Sequence, residues 1–136
     1  KLGCEVKIAT DDGSRGFKGY VSDLLAKELS ALRWPEGRGW ASDSPSHYQP
    51  LTIYACGPKL LLKEISRISL EHNIPAQLSL ESHMACGIGA CMGCVIKGKR
   101  QKAKGKSEEA KGKTEFEYKR VCKEGPVFEA NQILWE

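Results

Sequence analysis

The sequence predicts an α/β chain, with a partial Rossmann-like parallel sheet in the order β-α-β-α-β followed by a small β-rich domain. Three observations predict it. Short apolar or β-branched runs alternate with segments whose apolar residues recur at helical spacing. The third run leads straight into a loop that places Cys86, Cys91 and Cys94 within nine residues. A later alternating segment then brings a fourth cysteine, Cys122, back toward that loop.

Each element follows from local chemistry. Cys4 to Thr10 alternates weakly and meets the turn cluster Asp11-Asp12-Gly13-Ser14, so a strand is expected to end near Thr10. Gly13, Gly16 and Gly19 make the next connection flexible. Val21, Leu24, Leu25, Leu29 and Leu32 then fall on one helical face. Asp23 in the first turn suits the helix dipole, and Pro35 stops the helix. Residues 35–50 are rich in Gly, Ser and Pro and read as a loop, with Trp34 and Trp40 available to pack it. Leu51 to Cys56 is a buried-strand run, broken by Gly57-Pro58. Pro58 suits the start of a helix from about Lys59 to His72, with Leu61, Leu62, Ile65 and Ile68 inward and Asn73 and Pro75 ending it. Ala76 to Leu80 is the third strand. Val95–Lys97 is a short strand, and Thr114–Val121 is its returning partner. Between them, residues 98–113 contain no apolar side chain larger than alanine, which predicts a mobile Lys-rich hairpin tip. Gly125 to Phe128 and the tail through Trp135 close the second part. The expected domains are therefore 1–80 and 81–136.

Composition narrows the classes. Hydrophobic content of 40% and charged content of 28% describe a soluble globular protein. No apolar run approaches a membrane span, and no signal segment opens the sequence. The net charge of +4 is uneven, because residues 97–123 hold eleven Lys or Arg against four Glu. Its Lys-rich part, residues 98–113, lacks interleaved aromatics, so a solvated loop is favoured over a nucleic-acid surface. Neither nucleic acid nor membrane is an expected partner. The chain starts at Lys1 without a methionine, which suggests a piece of a longer protein.

The cysteines carry the sharpest signal. C-x₄-C-x₂-C with a distant fourth cysteine is the plant-type ligand spacing of a [2Fe–2S] cluster. Gly87, Gly89 and Gly93 interleave with the thiols, as a loop turning its amides toward sulfur requires. A structural zinc site normally pairs two C-x₂₋₄-C knuckles, and only one C-x₂-C is present. A zinc ribbon binding nucleic acid through residues 97–123 is therefore the weaker alternative. A disulfide framework suits small secreted scaffolds, and a Rieske centre would need a second histidine beside His83. Cys86, Cys91, Cys94 and Cys122 are the candidate metal ligands. Free thiols beside such a site fit a reducing, cytoplasmic setting.

Two further features point weakly to a nucleotide. An acid after a strand, as at Asp11 or Asp12, can hold a ribose 2′-hydroxyl, but a plain Asx turn is favoured. Cys56-Gly57-Pro58 lies at the carboxyl end of a strand, where open α/β sheets bind ligands, and its helix start could face an anion or nicotinamide. A buried small thiol at a sharp turn explains it equally well. His47, His72 and His83 read as surface residues.

Several stretches together resemble one family. They are Thr10-Asp-Asp-Gly-Ser14 with Gly16 and Lys18-Gly19, and Tyr54-Ala-Cys-Gly-Pro-Lys59. Ser79-Leu-Glu81 follows, with Met84-Ala-Cys-Gly-Ile-Gly-Ala-Cys-Met-Gly-Cys-Val95. Last come Tyr118-Lys-Arg-Val-Cys122 and Gly125-Pro-Val-Phe128. The chain resembles the C-terminal portion of the electron-transfer subunit of NAD-dependent bacterial dihydroorotate dehydrogenase, within the ferredoxin–NADP reductase superfamily. The resemblance spares only the 35–50 loop and the 98–113 tip, where an unusually long Lys-rich insertion stands. It implies part of an NAD-binding domain, with Asp11, Asp12, Cys56, Gly57 and Pro58 toward NAD, and a [2Fe–2S] domain with the four cysteines as ligands. The family's FAD-binding β-barrel and the glycine-rich opening of its NAD domain have no counterpart in this sequence, so the piece is expected to be inactive alone. The implied partner is the FMN-containing catalytic subunit, in a heterotetramer that oxidises dihydroorotate and passes electrons through the cluster to FAD and NAD⁺. Another NADH-dependent flavin and iron–sulfur reductase subunit is the nearer alternative.

Overall fold

The computed structural model describes residues 3–31, 51–99 and 116–135. The chain forms two compact units, residues 1–42 and 43–136.

In the first unit, β1 (Ala9–Thr10) pairs in parallel with β2 (Phe17–Lys18), a strand too short to show a sequence period. Only these last two residues of the expected 4–10 strand pair in a ladder. The six residues between β1 and β2 form a tight loop. Thr10 Oγ1 both accepts from the Arg15 amide at 3.3 Å and donates to the Arg15 carbonyl at 3.1 Å. Gly16 must be glycine, since its φ is 79° and a Cβ there would lie 2.1 Å from the Ile8 carbonyl oxygen. α1 (Val21–Ala31) follows, burying Leu24 and Leu29 while Val21 stays exposed. The expected stop at Pro35 and the 35–50 loop lie outside the described residues.

The second unit is built on a β-α-β core. β3 (Ile53–Cys56) runs parallel to β4 (Ala76–Ser79), in register from Ile53↔Ala76 to Cys56↔Ser79. α2 (Lys59–Glu71) connects them and buries Leu62, Ile65 and Ile68 against the sheet. Removing such side chains from water is worth about 1.5–3 kcal/mol each. α2 ends in a Schellman motif: Asn73 takes φ 52°, its amide reaches the Leu70 carbonyl, and the Ile74 amide reaches the Ser69 carbonyl at 2.9 Å. Ile74 is buried behind it, which locks the turn.

The other edge of β4 is not taken by a further parallel strand. β7 (Val127–Glu129) fills it antiparallel, with Leu78↔Phe128 at the centre. The sheet is thus mixed, in the order β3-β4-β7, rather than the continuous parallel sheet expected. The reason is long-range packing: Phe128 is buried beside the fully buried Leu78, and Leu80 extends the ladder by donating to the Pro126 carbonyl. A 3₁₀ turn (Ala130–Gln132) then accepts the buried Ser66 hydroxyl at the Ala130 carbonyl. The expected hairpin is present as β5 (Val95–Lys99) and β6 (Phe116–Arg120), paired antiparallel from Val95↔Arg120 to Lys99↔Phe116. Its tip, residues 100–113, lies outside the described residues. One helical turn, α3 (Val121–Glu124), follows β6 directly. Among the described residues no helix is long and apolar enough to cross a membrane.

Candidate metal centre

The loop from Glu81 to Cys94 leaves β4 without regular structure and is shaped by its sulfurs. Two parts of the chain deliver the four candidate thiols. The loop supplies Cys86, Cys91 and Cys94, and α3 supplies Cys122. Val121, wholly buried, fixes α3 beside the loop, and its amide donates to the Cys94 carbonyl at 3.0 Å.

The thiols fall into two pairs. The Cys91 amide donates to Cys86 Sγ at 3.4 Å, and the Cys122 amide donates to Cys94 Sγ at 3.5 Å. The Gly93 amide reaches Cys91 Sγ, also at 3.4 Å. The Cys91 and Cys122 amides lower the pKa of the Cys86 and Cys94 thiols that they face. The Cys86 thiol is pushed down to about 6, first by the Cys91 amide, then by the Cys91 thiol and the amides of Ile88 and Ala90. Cys94 is lowered, chiefly by the Cys122 amide. Cys122 is raised because its thiol donates to Cys94, with burial and the charge on Cys94 adding to it.

Gly87 and Gly89 take positive φ, at 68° and 81°, as the amide-inward loop requires. Gly93 does not. Its place in that role is held by Met92, at φ 59°, and Gly93 contributes its amide instead. Met84, Ile88 and Met92 stand exposed around the sulfurs. Among the described residues no three His, Cys, Asp or Glu side chains converge as ligands of a single ion. The donor set nonetheless fits a [2Fe–2S] cluster chemically: four thiols in two pairs suit two irons with two thiolates each, and inward amides suit an anionic cluster.

The sequence signalled this quartet but not its brace. Arg120, at the end of β6, sends Nη1 to the Gly89 carbonyl at 3.0 Å, while Glu124 holds its Nε at 3.1 Å and 3.2 Å. The only sequence trace is an Arg–Glu pair four residues apart, a common helical spacing.

The remaining candidates fall in two places. Asp11 and Asp12 belong to the first unit, where Asp12 Oδ1 accepts the Ser14 amide at 2.9 Å in an Asx turn that lowers its pKa. Cys56, Gly57 and Pro58 sit at the carboxyl end of β3 in the second unit. Cys56 is exposed, which removes the buried-thiol explanation for that turn. Gly57 and Pro58 line a cleft of about 890 Å³, together with Glu81, His83, Lys97 and Trp135. The Trp135 indole N–H is buried without a hydrogen-bond partner among the described residues.

Comparison with known proteins agrees with this arrangement. A mixed α/β fold with three thiols in one loop and a fourth on α3 defines a candidate iron–sulfur module. Residues 81–134 match the iron–sulfur cluster binding domain of dihydroorotate dehydrogenase B. Over 136 residues the chain is 35% identical to the electron transfer subunit of dihydroorotate dehydrogenase B (NAD⁺) from Desulforamulus reducens, covering 100% of this chain and 41% of that protein. The subunit of the same name from Caldanaerobacter subterraneus is 36% identical over 131 residues, covering 96% and 41%. One solved structure shares the fold with a TM-score of 0.60 at 24% identity, covering 91% of this chain and 33% of its own: the NADH-dependent reduced ferredoxin-NADP oxidoreductase studied for flavin-based electron bifurcation. The chain is thus similar over its length to part of the dihydroorotate dehydrogenase B electron-transfer subunits, and residues 81–134 match the model of their iron–sulfur cluster binding domain. It spans about two fifths of the length of these relatives.

Proposed function

We propose that this chain is the C-terminal portion of an electron-transfer subunit of NAD-dependent dihydroorotate dehydrogenase. It holds a [2Fe–2S] cluster on Cys86, Cys91, Cys94 and Cys122. The observation that carries this is the pairing of four thiols, Cys86 with Cys91 and Cys94 with Cys122, under amides that favour thiolate. A cluster bound there would accept and release one electron at a time. The protein's own part is to present four sulfurs, stabilise their charge with the amides of Cys91, Gly93 and Cys122, and keep the loop at the surface.

Residues 81–136 act as the cluster module, and residues 1–80 as part of a Rossmann-like NAD domain. Gly57 and Pro58 in the cleft, with Cys56 just before them at the end of β3, would face the nicotinamide. The exposed rim of Met84, Ile88 and Met92 suits docking against the FMN-containing catalytic subunit, in the heterotetramer that the family resemblance implies. FAD and the complete NAD site would come from the rest of the subunit, so this chain alone would not reduce NAD⁺. A reducing cytoplasm suits its free thiols.

Co-expression with the flavin subunit encoded beside it tests the reading. The expected result is a brown complex that converts dihydroorotate to orotate with NAD⁺ once the full subunit is restored. A stable brown chain that never captures that subunit at low salt would favour a different reductase partner.

A further inference from the structure

The cluster loop touches the return hairpin at one charged point, and its construction is more specific than a surface ion pair. Arg120 is the last residue of β6, and its side chain is only 28% exposed. Glu124, one turn on in α3, occupies Nε and Nη2 and also receives the Arg120 backbone amide. This leaves Nη1 aimed across 31 residues of sequence at the Gly89 carbonyl, 3.0 Å away. Gly89 is buried and tightly enclosed. A Cβ added there would meet Lys123 Cδ at 3.1 Å and Arg120 Cδ at 3.6 Å. The Gly89 carbonyl, between Cys86 and Cys91 in sequence, is thus gripped by Arg120.

We propose that Arg120 is a positioning residue for the cluster: oriented by Glu124, its guanidinium fastens the Gly89 carbonyl and so holds the turn between Cys86 and Cys91 that aims the Cys91 amide at the Cys86 sulfur. This rests on the four-cysteine assignment. An exposed Arg–Glu pair alone would be worth little. The planar fork matters here because one branch is committed to Glu124 and the other is free for the loop, a division that a lysine ammonium reproduces poorly. An N–H donated to a cluster sulfur stabilises the reduced, more negative state, so loosening the turn that aims the Cys91 amide at Cys86 lowers the reduction potential.

The test uses the full 136-residue chain, loaded anaerobically with iron and sulfide. Two readouts are the half-life of the visible absorption under excess chelator and the midpoint potential. Arg120→Gln is expected to release its cluster about tenfold faster, in line with the loss of an outer-shell partner, and to shift the potential downward. Arg120→Lys should keep the charge but still release faster than the parent. If Arg120→Gln does not fold, Glu124→Gln, which leaves the arginine in place but unaimed, should move both readouts in the same direction by less. An unchanged half-life and potential in Arg120→Gln overturns the proposal, or in Glu124→Gln where only that variant folds. Full rescue of both by lysine also overturns it, since charge alone would then suffice. A parent chain that takes up no iron instead overturns the four-cysteine assignment, and this is seen before any variant is made.

Discussion

The β3-α2-β4 core and the cysteine loop lie next to each other in sequence and are stabilised by opposite means. The core buries Leu62, Ile68 and Leu78 almost completely, and its shape follows from apolar packing and a Schellman turn. The loop exposes Met84, Ile88 and Met92, with Ile88 at 77%, and is shaped by amide-to-sulfur bonds and one arginine. The difference teaches that stability and function are separable here. Damage to the core should unfold the unit, while damage to the loop should empty it without unfolding it.

The largest effect expected is on the loop. Cys91→Ser should remove most of the bound iron while leaving the melting of the iron-free chain within about 0.5 kcal/mol of the parent. Iron analysis and thermal melting together check this, and a large loss of stability would break the separation. Leu62→Ala should do the reverse. Denaturant unfolding should show a loss of about 3 kcal/mol, with iron retained by whatever fraction stays folded. Asn73→Ala sharpens the account of the core, since alanine lacks the short polar side chain that lets asparagine tolerate the left-handed turn, and the exchange should cost about 1 kcal/mol. Ile88→Ser should be the mildest for the fold, changing stability by less than about 0.5 kcal/mol. Its effect should appear only as weaker capture of the catalytic subunit in pull-down.

Much of this was legible in the sequence, and the reasons are physical. α2 is read to within one residue of its end, because Pro58 starts it, Asn73 stops it and a helical stripe runs between. The cysteine quartet is legible because metal ligation imposes spacing. β2 is only Phe17–Lys18, and two residues carry no period. β7 escaped for another reason: nothing local says that Val127–Glu129 will pair with β4 some fifty residues away and close a mixed sheet. The Arg120–Gly89 brace left only an ordinary Arg–Glu pair four residues apart, since a backbone carbonyl as acceptor makes no demand on sequence. Met92 in a left-handed conformation was hidden by its neighbour, as Gly93 is the residue chemistry would nominate.

The central claim is that four paired thiols hold a two-iron cluster. Metal and acid-labile sulfide analysis of the anaerobically prepared chain, read beside its visible spectrum, tests it most directly. The account predicts a brown protein with about two irons and about two sulfides per chain. A colourless protein carrying a single zinc, or a Cys91→Ser variant that keeps its full iron and colour, would contradict it.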